Sequence, residues 1–246
     1  MKKSKISVIL VGTFAAIGTI AGTAQADLMA NGGFETMVNT TGTLPQSAGF
    51  WRGDLSSIVL GQNGINPFEG VNMLRFEYAT TRGASSAVGS ELWQIIDLST
   101  YQSAIRAGNG VIDAGAFFNR SSDGQPTAID TMFSVGVYAY AGSMNSFPSQ
   151  WLHGELGASQ STFLSDGNIE SWQHAAASLI LPEATDFVAI RIAAIENMFN
   201  DVAGTELAGH YADGVTFDFT IVPAPSALLC LLPAGLMGMG RRRRTA

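Results

Sequence analysis

The residues that could carry chemistry are few and widely spaced along the 246-residue chain. The three histidines, His153, His174 and His210, stand apart from one another. No Gly-x-Ser-x-Gly elbow offers a nucleophile for a histidine to activate. Neither His-Glu-x-x-His nor Cys-x-x-Cys occurs, so the usual zinc spacings are missing. Gly108-Asn109-Gly110 is only a fragment of a phosphate loop and reads better as a hairpin turn. A glycosidase needs just two carboxylates across a cleft. The twenty acids leave that chemistry open, and spacing selects no pair. The other candidates are aromatic. Trp51, Trp93, Trp151, Trp172, Tyr138 and Tyr140 have faces suited to the C–H faces of sugar rings.

Charge narrows the partners. Only 13% of the residues are charged, against about 25% in ordinary globular chains. The formal charge of −7 hides an uneven distribution. Lys2, Lys3 and Lys5 open the chain, and Arg241, Arg242, Arg243 and Arg244 nearly close it. Between Asp27 and Val222 six arginines face all twenty acids, a charge of −14. Such a body has no cluster of cations to displace counterions from nucleic acid, and no basic face for anionic lipid.

Period-2 alternation predicts the elements that must position any site. Val215, Phe217, Phe219 and Ile221 alternate with Thr216, Asp218 and Thr220. Leu74, Phe76 and Tyr78 oppose Met73, Arg75 and Glu77. Phe133, Val135, Val137 and Ala139 alternate with Ser134, Gly136, Tyr138 and Tyr140, and Val188, Ile190 and Ile192 share one face of 187–195. Further strands are expected over 91–98, 115–120 and 175–181, with turns at Asn63-Gly64, Asn66-Pro67, Asn109-Gly110, Asp123-Gly124 and Asp166-Gly167. Many short strands and no sustained helical stripe predict an all-β antiparallel sandwich or barrel. Residues 27–222 suffice for one core. The only cysteine, Cys230, lies beyond it, so no disulfide is expected there. In a two-sheet sandwich Tyr138 and Tyr140 should look outward together, as an exposed platform for a ligand. Trp151 and Trp172 fall in loop-like segments and are further ligand candidates, whereas Trp93 lies in an apolar strand and should fill core.

The two ends read as addresses. Residues 1–26 have the form of a signal peptide: the three lysines, an apolar run from Ile6 to Ile20, and Ala24-Gln25-Ala26 as the cleavage site. That run of about 15 residues is shorter than the roughly 20 that a membrane span needs. Residues 223–246 pair a proline motif, Pro223-Ala224-Pro225, with an apolar stretch from Ala227 to Gly240 and the four arginines. A short apolar segment with a basic stop predicts a membrane-inserted helix with its arginines in the cytoplasm. The order resembles the PEP-CTERM sorting signal of Gram-negative and related bacteria, with Ala224 where the motif usually has Glu. The resemblance implies processing by an exosortase-type transpeptidase and delivery to the cell surface or the extracellular exopolysaccharide matrix.

The domain between them resembles the galactose-binding-like jelly rolls, which include many carbohydrate-binding modules. The resemblance is carried by the order of Asn31-Gly32-Gly33-Phe34-Glu35, Phe68-Glu69-Gly70, Glu91-Leu92-Trp93-Gln94 and Tyr211-Ala212-Asp213-Gly214-Val215. It implies a structural calcium ion held by Glu35 and Asp213. The expected fold is therefore an antiparallel β-sandwich of jelly-roll type. The expected role is that of an exported, non-catalytic structural or adhesive protein. A calcium-stabilised carbohydrate-binding module that takes exopolysaccharide or another glycan is the second reading, and a polysaccharide-acting enzyme the third.

Overall fold

Where apolar and polar residues alternate, the chain forms strands, and the apolar faces meet in one core. A computed structural model describes residues 28–38, 42–78, 89–121, 131–195 and 209–222. The cleavage residues Ala24 and Ala26, and the tail residues Pro223, Pro225, Arg241, Arg242, Arg243 and Arg244, lie outside the described residues. Among the described residues no helix is long and apolar enough to cross a membrane.

The strands are β1 (Arg52–Gly53), β2 (Leu55–Val59), β3 (Met73–Tyr78), β4 (Gly89–Asp97), β5 (Gly110–Arg120), β6 (Met132–Tyr140), β7 (Gly157–Leu164), β8 (Gln173–Ile180), β9 (Phe187–Ile195) and β10 (His210–Ile221). Two short helices, α1 (Gln102–Arg106) and α2 (Phe147–Gln150), interrupt them. One antiparallel sheet runs β1-β4-β9-β6-β7 and the other β2-β3-β10-β5-β8. From β3 to β6, and again from β7 to β10, successive strands change sheet, so the chain interleaves two layers. The expected β-sandwich is what forms.

Leu92, Ile96, Phe133, Val135, Val137, Val188, Ile190 and Ile192 from the first sheet meet Leu74, Phe76, Ile112, Phe118, Phe217 and Phe219 from the second. Phe118 stacks on Phe133 at 5.0 Å between the layers. The predicted alternation of the last strand holds, with Thr216, Asp218 and Thr220 exposed, except that Ile221 is half exposed at the strand end. Met73 departs from its polar neighbours. It is fully buried under the hairpin that Asn63-Gly64 turns, packed with Ile65 and Tyr211. Gly108-Asn109 is also not a hairpin. It ends α1, with Gly108 N–H donating to Ile105 O and Asn109 N–H to Ala104 O, before β5 begins.

The two outer faces differ. Over the first sheet, residues 141–155 fold back, and Phe147 of α2 sinks among Trp93, Tyr140 and Phe187. On the second sheet no such cover lies over the strip across β8, β5 and β10 among the described residues. This asymmetry decides where a site can lie.

Candidate functional site

The strip is built from cross-strand rows. Asp113 on β5 faces Ser178 on β8 and Asp218 on β10. One step along, Gly115 faces Ala176 and Thr216. The next row pairs Phe117 with His174 and Asp213. The polar members Asp113, Ser178, Thr216, Asp218 and His174 are exposed. Small residues in the middle row leave an open groove of about 280 Å³ lined by the first two rows and His174. Gly115 makes the dent. A methyl group added there would lie 2.6 Å from His174 Nε2 and 3.1 Å from Thr216 Oγ1.

Beside the groove, on the far side of His174, lies an aromatic stack. Phe68 stacks on Phe117 with ring centres 3.7 Å apart and planes at 15°. Phe117 meets the His174 ring at 4.6 Å, and Trp172 stands edge-on to Phe68 at 6.2 Å. Trp172 is fixed by its indole N–H donating to Asn66 O at 3.1 Å. Phe68 keeps 42% of its surface exposed. A bulge in β10 between Asp213 and Thr216 makes room for the stack. Gly214, at φ +54, occupies it, and a side chain there would strike both the Phe68 and the Phe117 rings.

The loop that carries Phe68 is held by two carboxylates. Asp213 Oδ2 accepts from the N–H groups of Phe68 at 2.8 Å and Glu69 at 3.2 Å, and Oδ1 accepts from Gly214. Glu35 Oε1 accepts from Val71 and Asn72 N–H, and Oε2 from Asn72 Nδ2. Burial pushes Asp213 up to about 6, outweighing the N–H donors of Glu69, Gly214 and Phe68. The N–H groups of Asn72 and Val71 hold Glu35 below the usual carboxylate range. Calcium takes about six to eight oxygens. Among the described residues no group of three or more His, Cys, Asp or Glu is placed to hold a metal. As built, Glu35 and Asp213 form a loop clamp, and an ion would share their oxygens with backbone N–H groups.

No protein-family model and no curated protein matches the chain. Solved structures do. The family 61 carbohydrate-binding module TmCBM61, in complex with β-1,4-galactotriose, is 16% identical over 80% of this chain and 99% of its own, with TM-score 0.44. A cyclase from Fischerella sp. TAU is 12% identical over 80% and 97%, with TM-score 0.45. A family 35 carbohydrate-binding module from Clostridium thermocellum is 13% identical over 66% and 86%, with TM-score 0.34. The sandwich therefore has carbohydrate-binding modules among its structural neighbours. All three scores lie below 0.5, so what the groove does must be read from the groove itself.

The structure rearranges the aromatic candidates. Trp172 stands at the outer end of the aromatic stack beside the groove, edge-on to Phe68. Tyr140 is corrected: it is fully buried, stacked on Phe187 at 5.4 Å, with its hydroxyl donating to Trp151 O, and burial pushes its phenol pKa up. Tyr138 is half-buried against Trp93 at 5.0 Å and donates to Gln160 Oε1. Trp151 is half-buried, edge-on to Trp93 at 6.0 Å within the cover. The exposed Tyr138–Tyr140 platform does not form, because residues 141–155 occupy that face. The residues that sequence reasoning passed over are Asp113, Gly115 and Ser178 in the groove, and Phe117 and Phe68 in the stack beside it. The outward set of β10 was legible, but its neighbours across the sheet depend on strand order.

Proposed function

We propose that the protein is an exported, non-catalytic adhesive β-sandwich that holds a glycan in the groove across β8, β5 and β10. The observation that carries this reading is an aromatic stack lying next to a groove with a polar floor. The Trp172–Phe68–Phe117 rings offer apolar surface to a pyranose face, while Asp113, Asp218, Ser178 and Thr216 offer acceptors and donors to its hydroxyls. An open groove suits the passing segment of a polymer, since enclosed pockets for free small molecules run to about 300–1,000 Å³. Export rests on the lysine-led leader. Delivery to the surface or matrix by an exosortase-type enzyme rests on the proline, apolar and arginine order of the tail.

A glycan and polysaccharide binding screen of the full chain tests the reading, run beside Trp172→Ala. Neutral oligosaccharides, β-1,4-galactotriose among them, are expected to bind, with affinity about tenfold lower in the variant. A blank screen, or binding indifferent to Trp172, overturns the groove assignment. Asp113 directly opposite Asp218 also supports a second reading, a polysaccharide-acting enzyme. Release of shortened products, abolished by Asp113→Asn, would establish that reading instead.

Calcium belongs to the same proposal, as an ion held at Glu35 and Asp213 that stiffens the Phe68 loop. Its addition is expected to raise the melting temperature and EDTA to lower it, with both effects absent in Glu35→Gln. A melting temperature indifferent to both treatments removes calcium from the account.

A further inference from the structure

A second pocket, of about 490 Å³, with no lining residue in common with the groove, opens between the segment after Leu28 and the turn that leads into β1. Its walls are fixed. Asn31 Nδ2 donates to Thr36 O at 2.8 Å and Asn31 Oδ1 accepts from Thr36 N–H at 3.0 Å, which closes a ring on the rim. Trp51 packs on Phe34 at 5.5 Å and donates its indole N–H to Asn31 O at 3.1 Å, which makes a rigid floor. With Trp51 turned inward, Phe50 on one side of it stays 60% exposed. Met37 on the opposite wall is 89% exposed. Arg52 completes the lining, and among the described residues no carboxylate takes part.

Arg52 differs from the other described arginines. Arg75 pairs with Glu77, Arg106 with Asp186 and Arg191 with Glu91, while Arg120 is buried and donates to Thr131 Oγ1. Arg52 makes no ion pair among the described residues, and its one hydrogen bond is a long 3.5 Å contact to Thr43 Oγ1. In a body with six arginines against twenty acids, a half-exposed guanidinium with no carboxylate partner among the described residues is suited to hold an anion. Its planar fork matches a carboxylate with two parallel hydrogen bonds. The apolar Phe50 and Met37 surfaces add contact for a ring face, and the tied rim means little ordering is lost on binding.

We propose that this pocket is a second ligand site that takes the carboxylate of a uronic acid residue in an acidic polysaccharide, with Arg52 as anion anchor and Phe50 as ring platform. The choice of a sugar acid rests on the glycan-binding reading; the anion site itself does not. The two sites then differ in charge: the groove presents Asp113 and Asp218, and the pocket presents Arg52.

The test is calorimetric titration of the full chain with trigalacturonate, its neutral methyl ester and inorganic sulfate. Trigalacturonate is expected to bind, with the ester weaker by about tenfold and sulfate failing to compete. Arg52→Gln should lower trigalacturonate affinity by about tenfold or more, and Arg52→Lys by less. Phe50→Ala, at an exposed position that folding does not need, should weaken binding too. Equal binding of acid and ester, or Arg52→Gln binding like wild type, overturns the proposal. Sulfate competing as well as the uronate reduces the site to a generic anion site and also overturns it. Loss of trigalacturonate binding in Asp113→Asn instead of Arg52→Gln would place the ligand in the groove. Neutral-glycan binding is read separately with Trp172→Ala, so failure of either site is distinguishable from failure of the other.

Discussion

Asp213→Ala is expected to destabilise the fold by about 3 kcal/mol, because the N–H groups of Phe68, Glu69 and Gly214 lose their shared acceptor. Asp213 is fully buried, so the cavity left behind adds to the loss. Asp213→Asn should cost less, since its amide oxygen can still face the Phe68 and Glu69 N–H groups while its NH₂ is forced against the Gly214 N–H. The same substitution should alter the pH profile. The folded state holds the Asp213 proton more tightly than the unfolded chain, with a pKa of about 6 against 3.8. The stability from that difference is complete below pH 3.8 and disappears as pH rises to 6. Glu35 works the other way: its depressed pKa gives stability above 4.5 that is lost as pH falls through the folded value. In EDTA, the wild-type melting temperature should therefore fall as pH rises from 4.5 to 6. Asp213→Ala should lack that slope. A flat wild-type profile across this window would show that the carboxylate is not held protonated by burial.

The strands were legible because their signal is local. Phe217 and Phe219 go inward and Thr216 and Asp218 outward whatever lies beside them, and the chain shows that at a period of two. What lay out of reach was the pairing of rows across strands. Asp113, Gly115 and Phe117 become groove residues because β5 lies between β8 and β10, an order no local pattern encodes. The tyrosines failed for a related reason. Tyr138 and Tyr140 do point away from the core, but outward in a sheet is not outward in the protein when a connection folds over the face. That connection did carry a sign of its burial in Met144, Phe147 and Trp151, apolar at intervals of three and four. Two turns of such spacing are too short to stand out as a helix, yet enough to seal Trp93 and Tyr140. Glu35 and Asp213 were singled out together, and in the structure both hold the loop at 68–72. Their tie is through backbone N–H groups, which side-chain types do not announce.

Gly115→Val should abolish groove binding while leaving the sandwich folded. The added Cβ meets the end of the His174 side chain at 2.6 Å and Thr216 Oγ1 at 3.1 Å, both on exposed side chains free to turn aside. The strand itself favours a β-branched residue. Stability should therefore change by about 1 kcal/mol or less. Binding is different, because the missing side chain at Gly115 is what opens the middle row. Isopropyl bulk there fills the dent between Ala176 and Thr216 and lifts a sugar ring away from both the Phe68–Phe117 wall and the Asp113–Asp218 pair. A loss of about 2 kcal/mol, roughly thirtyfold in affinity, is expected for a neutral oligosaccharide. Gly115→Ala should fall between the two. Tyr138→Phe, on the covered sheet, should leave affinity unchanged although it removes the hydrogen bond to Gln160. If Gly115→Val binds as wild type does and Tyr138→Phe does not, the ligand rests on the first sheet, and the groove is a consequence of packing small residues under His174.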